Sequence, residues 1–210
     1  MRPLLFSWLV LGSLSLGAQG IGIKAGLNFA NVTNASSLTS SNRTGFMAGL
    51  FLAPPSKKIL SSRTELIFSR QGYNFQTGSN TGHVNLDYLI LPQLMGINIT
   101  HFVQVQLGAQ MALLLNAKAD SAQGNGPPNT PGSVMSYYNR FDYGFGAGVE
   151  IHPVLGLLIG ARYNISLGKL YKDLATGQPP SFSSADARNN VVQLFAGWTF
   201  GQSSSKKKTQ

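Results

Sequence analysis

The chain has no cysteine in its 210 residues, which excludes disulfide staples, thiolate metal sites, a cysteine nucleophile and a lipoprotein anchor. Charge is scarce as well, at 11% of residues, with 7 acids against 16 bases and a net charge of +9. That excess does not describe a nucleic-acid surface. Arg2 lies at the extreme N-terminus, Lys206, Lys207 and Lys208 lie at the other end, and the remaining basic residues are scattered. A bundle of apolar helices is excluded by a mean hydropathy close to zero. From Tyr88 to Ala117 there is no Asp, Glu, Lys or Arg, yet Pro92, Gln93, Asn98, Gln104, Gln106 and Gln110 interrupt that stretch and rule out a spanning helix.

Catalytic chemistry is also missing from the pattern. His83, His101 and His152 fall at expected turns or loops, without the spacing of a zinc site. Asp142 and Glu150 share one face of an expected strand but lie eight positions apart, a distance of ~26 Å at the extended rise per residue, too far to act on one substrate atom. The Gly144-x-Gly146-x-Gly148 run is followed by no helical pattern and is no phosphate loop. The sequence implies no catalytic residue, no cofactor and no metal.

The N-terminus reads as an address. Met1-Arg2-Pro3 gives a short positive start, Leu4 to Leu16 an uncharged apolar run, and Ala18-Gln19-Gly20 a small-x-small end. This is a secretory signal peptide over residues 1–20, with cleavage after Gly20 fitting better than cleavage after Ala18. The expected organisation is then one barrel domain over 21–201 and a disordered basic tail over 202–210.

What the rest of the chain has is alternation with a period of two, the signature of strands with unlike faces. Phe141, Tyr143, Phe145, Ala147, Val149 and Ile151 alternate with Arg140, Asp142, Gly144, Gly146, Gly148 and Glu150. The same pattern runs through Leu155 to Gly168, broken only by Leu158, through Val103 to Leu113, and through Val191 to Phe200. Four weaker segments, Ile21 to Val32, Arg43 to Ala53, Arg63 to Phe75 and Val84 to Asn98, complete eight. Pro92 inside the last of these marks a bulge or a missing ladder bond.

Alternation alone leaves open which face is inside. A soluble barrel buries its apolar face, whereas a membrane barrel turns it to lipid. Long connections around Thr33–Asn42, Gln76–Gly82, Lys118–Asn139 and Lys169–Asn189 alternate strictly with short ones near Pro54–Lys58, Asn98–His101 and His152–Val154, an order that a transmembrane barrel requires. The opposing face, rich in glycine, suits a crowded lumen better than a hydrated surface. The expected fold is all-β: an eight-stranded antiparallel transmembrane β-barrel with up-and-down meander order. Its few inward charges, Lys24, Glu65, Glu150 and Arg162, are expected to pair in a lumen network unless they sit at a hydrated rim. In the long third and fourth connections, Tyr137, Tyr138, Tyr171 and Phe182 are candidate contact aromatics.

The opening Ile23-Lys24-Ala25-Gly26-Leu27-Asn28-Phe29 resembles the porin-family, PorT-like outer-membrane β-barrel domain of Bacteroidetes type. So do Gly45-Phe46 to Gly49-Leu50-Phe51, Glu65-Leu66 to Ser69-Arg70-Gln71-Gly72, and Asp87-Tyr88-Leu89 to Leu91-Pro92. The resemblance covers the mature chain. It implies export to the outer membrane of a Gram-negative cell, outer-membrane lipid as surroundings, and the β-barrel assembly machinery as a partner during biogenesis. Trp198-Thr199-Phe200 supplies the terminal aromatic pattern such machinery reads, here placed inside the chain. The function expected is that of a non-enzymatic envelope scaffold or interaction protein acting through its outer loops on an envelope protein partner. A small-solute porin or conduit and a soluble periplasmic ligand-binding barrel are the alternatives.

Overall fold

A computed structural model describes residues 20–33, 39–54, 59–77, 80–122, 132–172 and 187–200. The strands are β1 (Gly20–Thr33), β2 (Thr39–Ala53), β3 (Leu60–Thr77), β4 (Asn80–Asn98), β5 (Val103–Ala122), a two-residue β6 (Gly132–Ser133), β7 (Phe141–Ile151), β8 (Leu157–Ser166) and β9 (Arg188–Thr199). Every long strand pairs antiparallel with its neighbours in sequence order. β1 closes on β9 and β4 on β5, so the eight long strands form a barrel without an edge. Closure satisfies the backbone ladder internally, as a strand structure in lipid must.

The two ends of the barrel differ. At the end holding Gly20 and Thr199, the connections from β4 to β5 and from β7 to β8 are tight. Thr100 Oγ1 accepts from the amides of Phe102 and Val103 at 3.1 and 3.0 Å, and Gly156 takes φ +89° in the turn into β8, a left-handed conformation that glycine adopts without a steric penalty. At the other end three neighbouring strands overshoot. β3, β4 and β5 have 18, 19 and 20 residues, about twice the 9–11 that cross a bilayer at a tilt near 45°.

This overshoot corrects the expected boundaries. Most of the segment Gln76–Gly82 is strand, with Thr77 paired to Asn80, β2 begins at Thr39 instead of Arg43, and β5 continues through Lys118 to Ala122. The physical reason is that the added turns of strand lie beyond the lipid. Their outward side chains, such as Arg70, Asn116 and Lys118, carry no apolar stripe to alternate with. Pro92 interrupts the β3–β4 ladder, which passes from Thr64↔Gln93 to Ile67↔Ile90 without a change of register. The nearby bulge falls instead between Asp87 and Tyr88, against β5.

Burial settles the polarity of the wall. Leu27, Leu50, Leu107, Phe145 and Leu194 are between 47% and 55% exposed on the outside, while Lys24, Glu65, Glu150 and Arg162 are at most 3% exposed inside. A continuous apolar belt around charged contents has no place in water and suits hydrocarbon. Inside, side chains fill the space that glycines vacate. A Cβ on Gly22 would stand 2.0 Å from the Phe51 ring, so Gly22→Val overpacks the lumen and is expected to lower stability by about 1–3 kcal/mol. Urea titration of the refolded barrel measures the loss, and an unchanged midpoint would contradict the packing.

Candidate functional site: a charged plug beneath a tyrosine lid

The lumen charges form a connected cluster built from five strands. β1 supplies Lys24, β3 supplies Arg63 and Glu65, β5 supplies Gln104 and Gln106, β7 supplies Glu150, and β8 supplies Arg162. Glu65 is the hub. It accepts from Lys24 Nζ at 3.1 and 3.0 Å and from Arg162 Nη1 and Nη2 at 2.6 and 3.0 Å, a two-pronged pair. Arg63 Nη1 donates to both oxygens of Glu150 at 2.6 and 2.7 Å and stands 3.9 Å from Glu65. Arg162 also donates to Gln106 Oε1 at 2.8 Å, and Gln106 donates on to Gln104 at 2.9 Å.

Aromatic faces complete the plug. Lys24 Nζ lies 3.8 Å from the Phe195 ring centre and the Arg63 guanidinium 4.7 Å from that of Phe51. In the turn after β7, His152 Nε2 stands 3.7 Å from Glu150. Burial holds its imidazole below the usual histidine range, with Arg63 acting in the same direction and Glu150 against it.

The four inward charges named from the sequence, Lys24, Glu65, Glu150 and Arg162, thus lie within one cluster, although Glu150 joins it through Arg63. That arginine was missed. It opens an expected strand, yet it has the parity of Glu65, which places both on the same face two positions apart.

Toward the long-strand end, a polar belt gives way to an apolar layer. Asn28 Nδ2 donates to Ser69 Oγ at 2.8 Å, Gln193 donates to Asn28 at 3.1 Å, and Asn189 donates to Gln71. Above them Val84, Leu86, Tyr88, Leu114 and Ala117 pack against Tyr138, Leu170, Tyr171 and Ala187. The described parts of the third and fourth connections, around Tyr138 and around Leu170 and Tyr171, pack into this layer. Asn139 Nδ2 donates to the carbonyls of Lys169 and Tyr171 at 2.8 and 2.9 Å, and Tyr138 bridges Tyr171 as an isolated antiparallel pair. The hydroxyl of Tyr73, on the tall wall, bonds those of Tyr138, at 2.8 Å, and Tyr171. Burial pushes both loop hydroxyls above the usual tyrosine range, so both stay protonated at neutral pH.

The expected contact aromatics need correction on this point. Tyr138 and Tyr171 are 0% and 4% exposed and serve as the lid's underside; a partner outside cannot reach them. Apolar bodies with hydroxyls that find partners are more stable inside, and the tall wall supplies both. Tyr137 is half-buried, and Phe182 lies outside the described residues. Trp198 and Phe200 are 42% and 48% exposed on the lipid side, and the Phe200 amide donates to Ile21 at 2.7 Å where β9 meets β1.

Comparison with known proteins agrees with this geometry. Residues 17–172 match the family described as outer membrane protein beta-barrel domain. Among solved structures, Ail, the attachment invasion locus protein of Yersinia pestis, superposes with a TM-score of 0.50 at 18% identity over 87% of this chain and 99% of that one. Neisserial surface protein A gives a TM-score of 0.51 at 18% identity, covering 88% and 99%. At that identity the likeness is one of fold. No curated protein sequence matches the chain.

Proposed function

Because the chain belongs to the outer membrane protein beta-barrel domain family and is therefore an outer-membrane protein, we propose that it is a non-enzymatic envelope scaffold that presents an interaction surface outside the membrane. The observation that carries this reading is closure at two levels: a charged plug across the lumen toward the short-turn end and an apolar, tyrosine-bonded layer toward the long-strand end. An interior of eight strands is just wide enough for side chains to fill, and here they fill it. What the barrel can offer is its outward end, where β3, β4 and β5 rise as a wall and Arg70, Lys118 and Arg140 are exposed. The partner fitting this reading is another envelope protein. A PorT-like affiliation within the family rests on the strand motifs around Gly26, Gly49, Arg70 and Pro92. Trp198 and Phe200 are the aromatics we assign to recognition by the assembly machinery.

Planar bilayers test the reading against a conduit. The refolded protein is expected to show no conductance steps, and regular steps would sink the scaffold reading. A photo-crosslinking residue at Lys118 or Arg140 is expected to capture a discrete envelope protein in cells, whereas one at Leu194 on the lipid side is not.

A further inference from the structure

One polar islet lies within the lipid-facing belt. On six of the long strands the outward positions between Ile21 and Phe29, Phe46 and Leu52, Val103 and Leu113, Phe141 and Ile151, Leu157 and Ile165, and Val192 and Trp198 are all apolar or aromatic. β3 and β4 differ. Ser62 and Thr64 face outward on β3 and Gln93 faces outward on β4, with Thr64 paired to Gln93 and Ser62 to Met95 across the ladder. Thr64 Oγ1 donates to Gln93 Oε1 at 2.6 Å. The Gln93 carboxamide makes no other hydrogen bond among the described residues, so its two N–H donors are left to the surroundings.

Those surroundings are hydrocarbon. Gln93 is exposed and lies five positions from Asn98, the short-turn end of β4, as Leu194 lies five positions from Thr199. At a tilt near 45° that is ~12 Å along the membrane normal, about the middle of an apolar band ~25 Å tall. Leu91 and Met95, its outward neighbours on either side along the strand, are 43% and 49% exposed. Water at the rims does not serve a group at that depth, and an unpaired amide in hydrocarbon is costly. Pro92 has no N–H to give, and the β3–β4 ladder is open between Thr64↔Gln93 and Ile67↔Ile90, so backbone bonding is thinnest at the same place. Beside the islet runs a shallow groove of about 730 Å³, lined by Ser62, Gln93, Met95, Leu107, Ala109 and Phe145. Ala109 pairs with Gln93 on one side and Phe145 on the other, and its single methyl leaves the floor low.

We propose that a second copy of the chain packs on this face, forming a two-fold dimer within the membrane in which the two Gln93 carboxamides bond each other. Two barrels inserted in the same direction are related by an axis along the membrane normal, so residues of equal depth meet. Gln93 then meets Gln93. A carboxamide carries donors and an acceptor, so a pair of them exchanges two N–H···O bonds, whereas a lipid chain offers neither. The small Ala109 lets the walls approach, with Met95, Leu107 and Phe145 around it to exclude lipid. Both outward ends then face the same side of the membrane.

The experiment uses the full barrel refolded into density-matched detergent micelles, with sedimentation equilibrium run over a range of protein-to-detergent ratios. The unaltered chain is expected to pass from monomer to dimer as that ratio rises. Gln93→Leu is expected to remain a heat-modifiable barrel and to associate about 10- to 100-fold more weakly, the effect of two hydrogen bonds between membrane segments. Leu194→Ala, on the far wall, should leave association unchanged. Because the chain has no cysteine, Ala109→Cys introduces a single thiol beside Gln93 and is expected to give a disulfide-linked dimer when membranes are oxidised, while Ala196→Cys is not. A chain monomeric at every ratio, with or without lipid retained in the groove, would overturn the proposal. So would association undiminished in Gln93→Leu, or crosslinking at Ala196→Cys and not at Ala109→Cys.

Discussion

Glu65→Ala is expected to destabilise the barrel by about 3–5 kcal/mol, the range for removing one partner of a buried ion pair. The argument starts from what the carboxylate holds. It receives four hydrogen bonds, two from Lys24 and two from Arg162, and its removal would leave three cations facing Glu150 alone. The penalty comes from the charges left behind more than from the bonds lost. Glu65→Gln is therefore expected to be nearly as costly, since it retains an acceptor and loses the charge, while replacing Glu65, Lys24 and Arg162 together by Leu, Met and Met should recover a large part of the loss. Urea-induced unfolding in lipid vesicles, followed by tryptophan fluorescence and by mobility on unboiled gels, measures all three. A cost below about 1 kcal/mol for Glu65→Ala would mean that the plug is hydrated and that the lumen is not closed in the way described.

Much of the barrel was legible because its physics is local. Alternation at Phe141 to Ile151 reports a strand with unlike faces whatever its neighbours do, and the tight turn at Thr100 carries its own chemistry, whereas Gly156, expected as strand, lies in the turn before Leu157. Leu158, the one residue out of step in its segment, is an apolar side chain fully buried in the lumen, beside Gly197. What was not legible depended on height. Once a strand rises clear of the lipid, its outward face no longer has to be apolar, so the upper parts of β3, β4 and β5 lose the pattern and resemble loops. The tyrosine lid was hidden for a related reason. Tyr138 and Tyr171 sit in irregular segments, where exposure is the ordinary expectation, and only the tall wall that carries Tyr73 turns them inward. Arg63 was obscured by its place at the start of a segment, although parity with Glu65 was available to find it.

The lipid-facing reading has an equally sharp consequence. Leu194 lies midway along β9, 47% exposed, between Leu27 on β1 and Ala161 on β8. On a soluble barrel an exposed leucine changed to arginine would alter stability by no more than about 0.5 kcal/mol. In a bilayer the guanidinium would have to enter hydrocarbon near its midplane, and Leu194→Arg is expected to cost about 2–4 kcal/mol. The penalty must also depend on depth. Ile21→Arg, on the same apolar face but at the start of β1 next to the short-turn end, should cost only about 0–1 kcal/mol because its side chain can reach the interface. Gln193, one position from Leu194, points the other way and donates to Asn28; its replacement by leucine loses a lumen hydrogen bond irrespective of depth. Reversible unfolding from vesicles separates these cases. Equal, small effects of Leu194→Arg and Ile21→Arg would remove the bilayer from the account of this wall, whereas a steep difference between them maps the hydrocarbon directly onto the sequence.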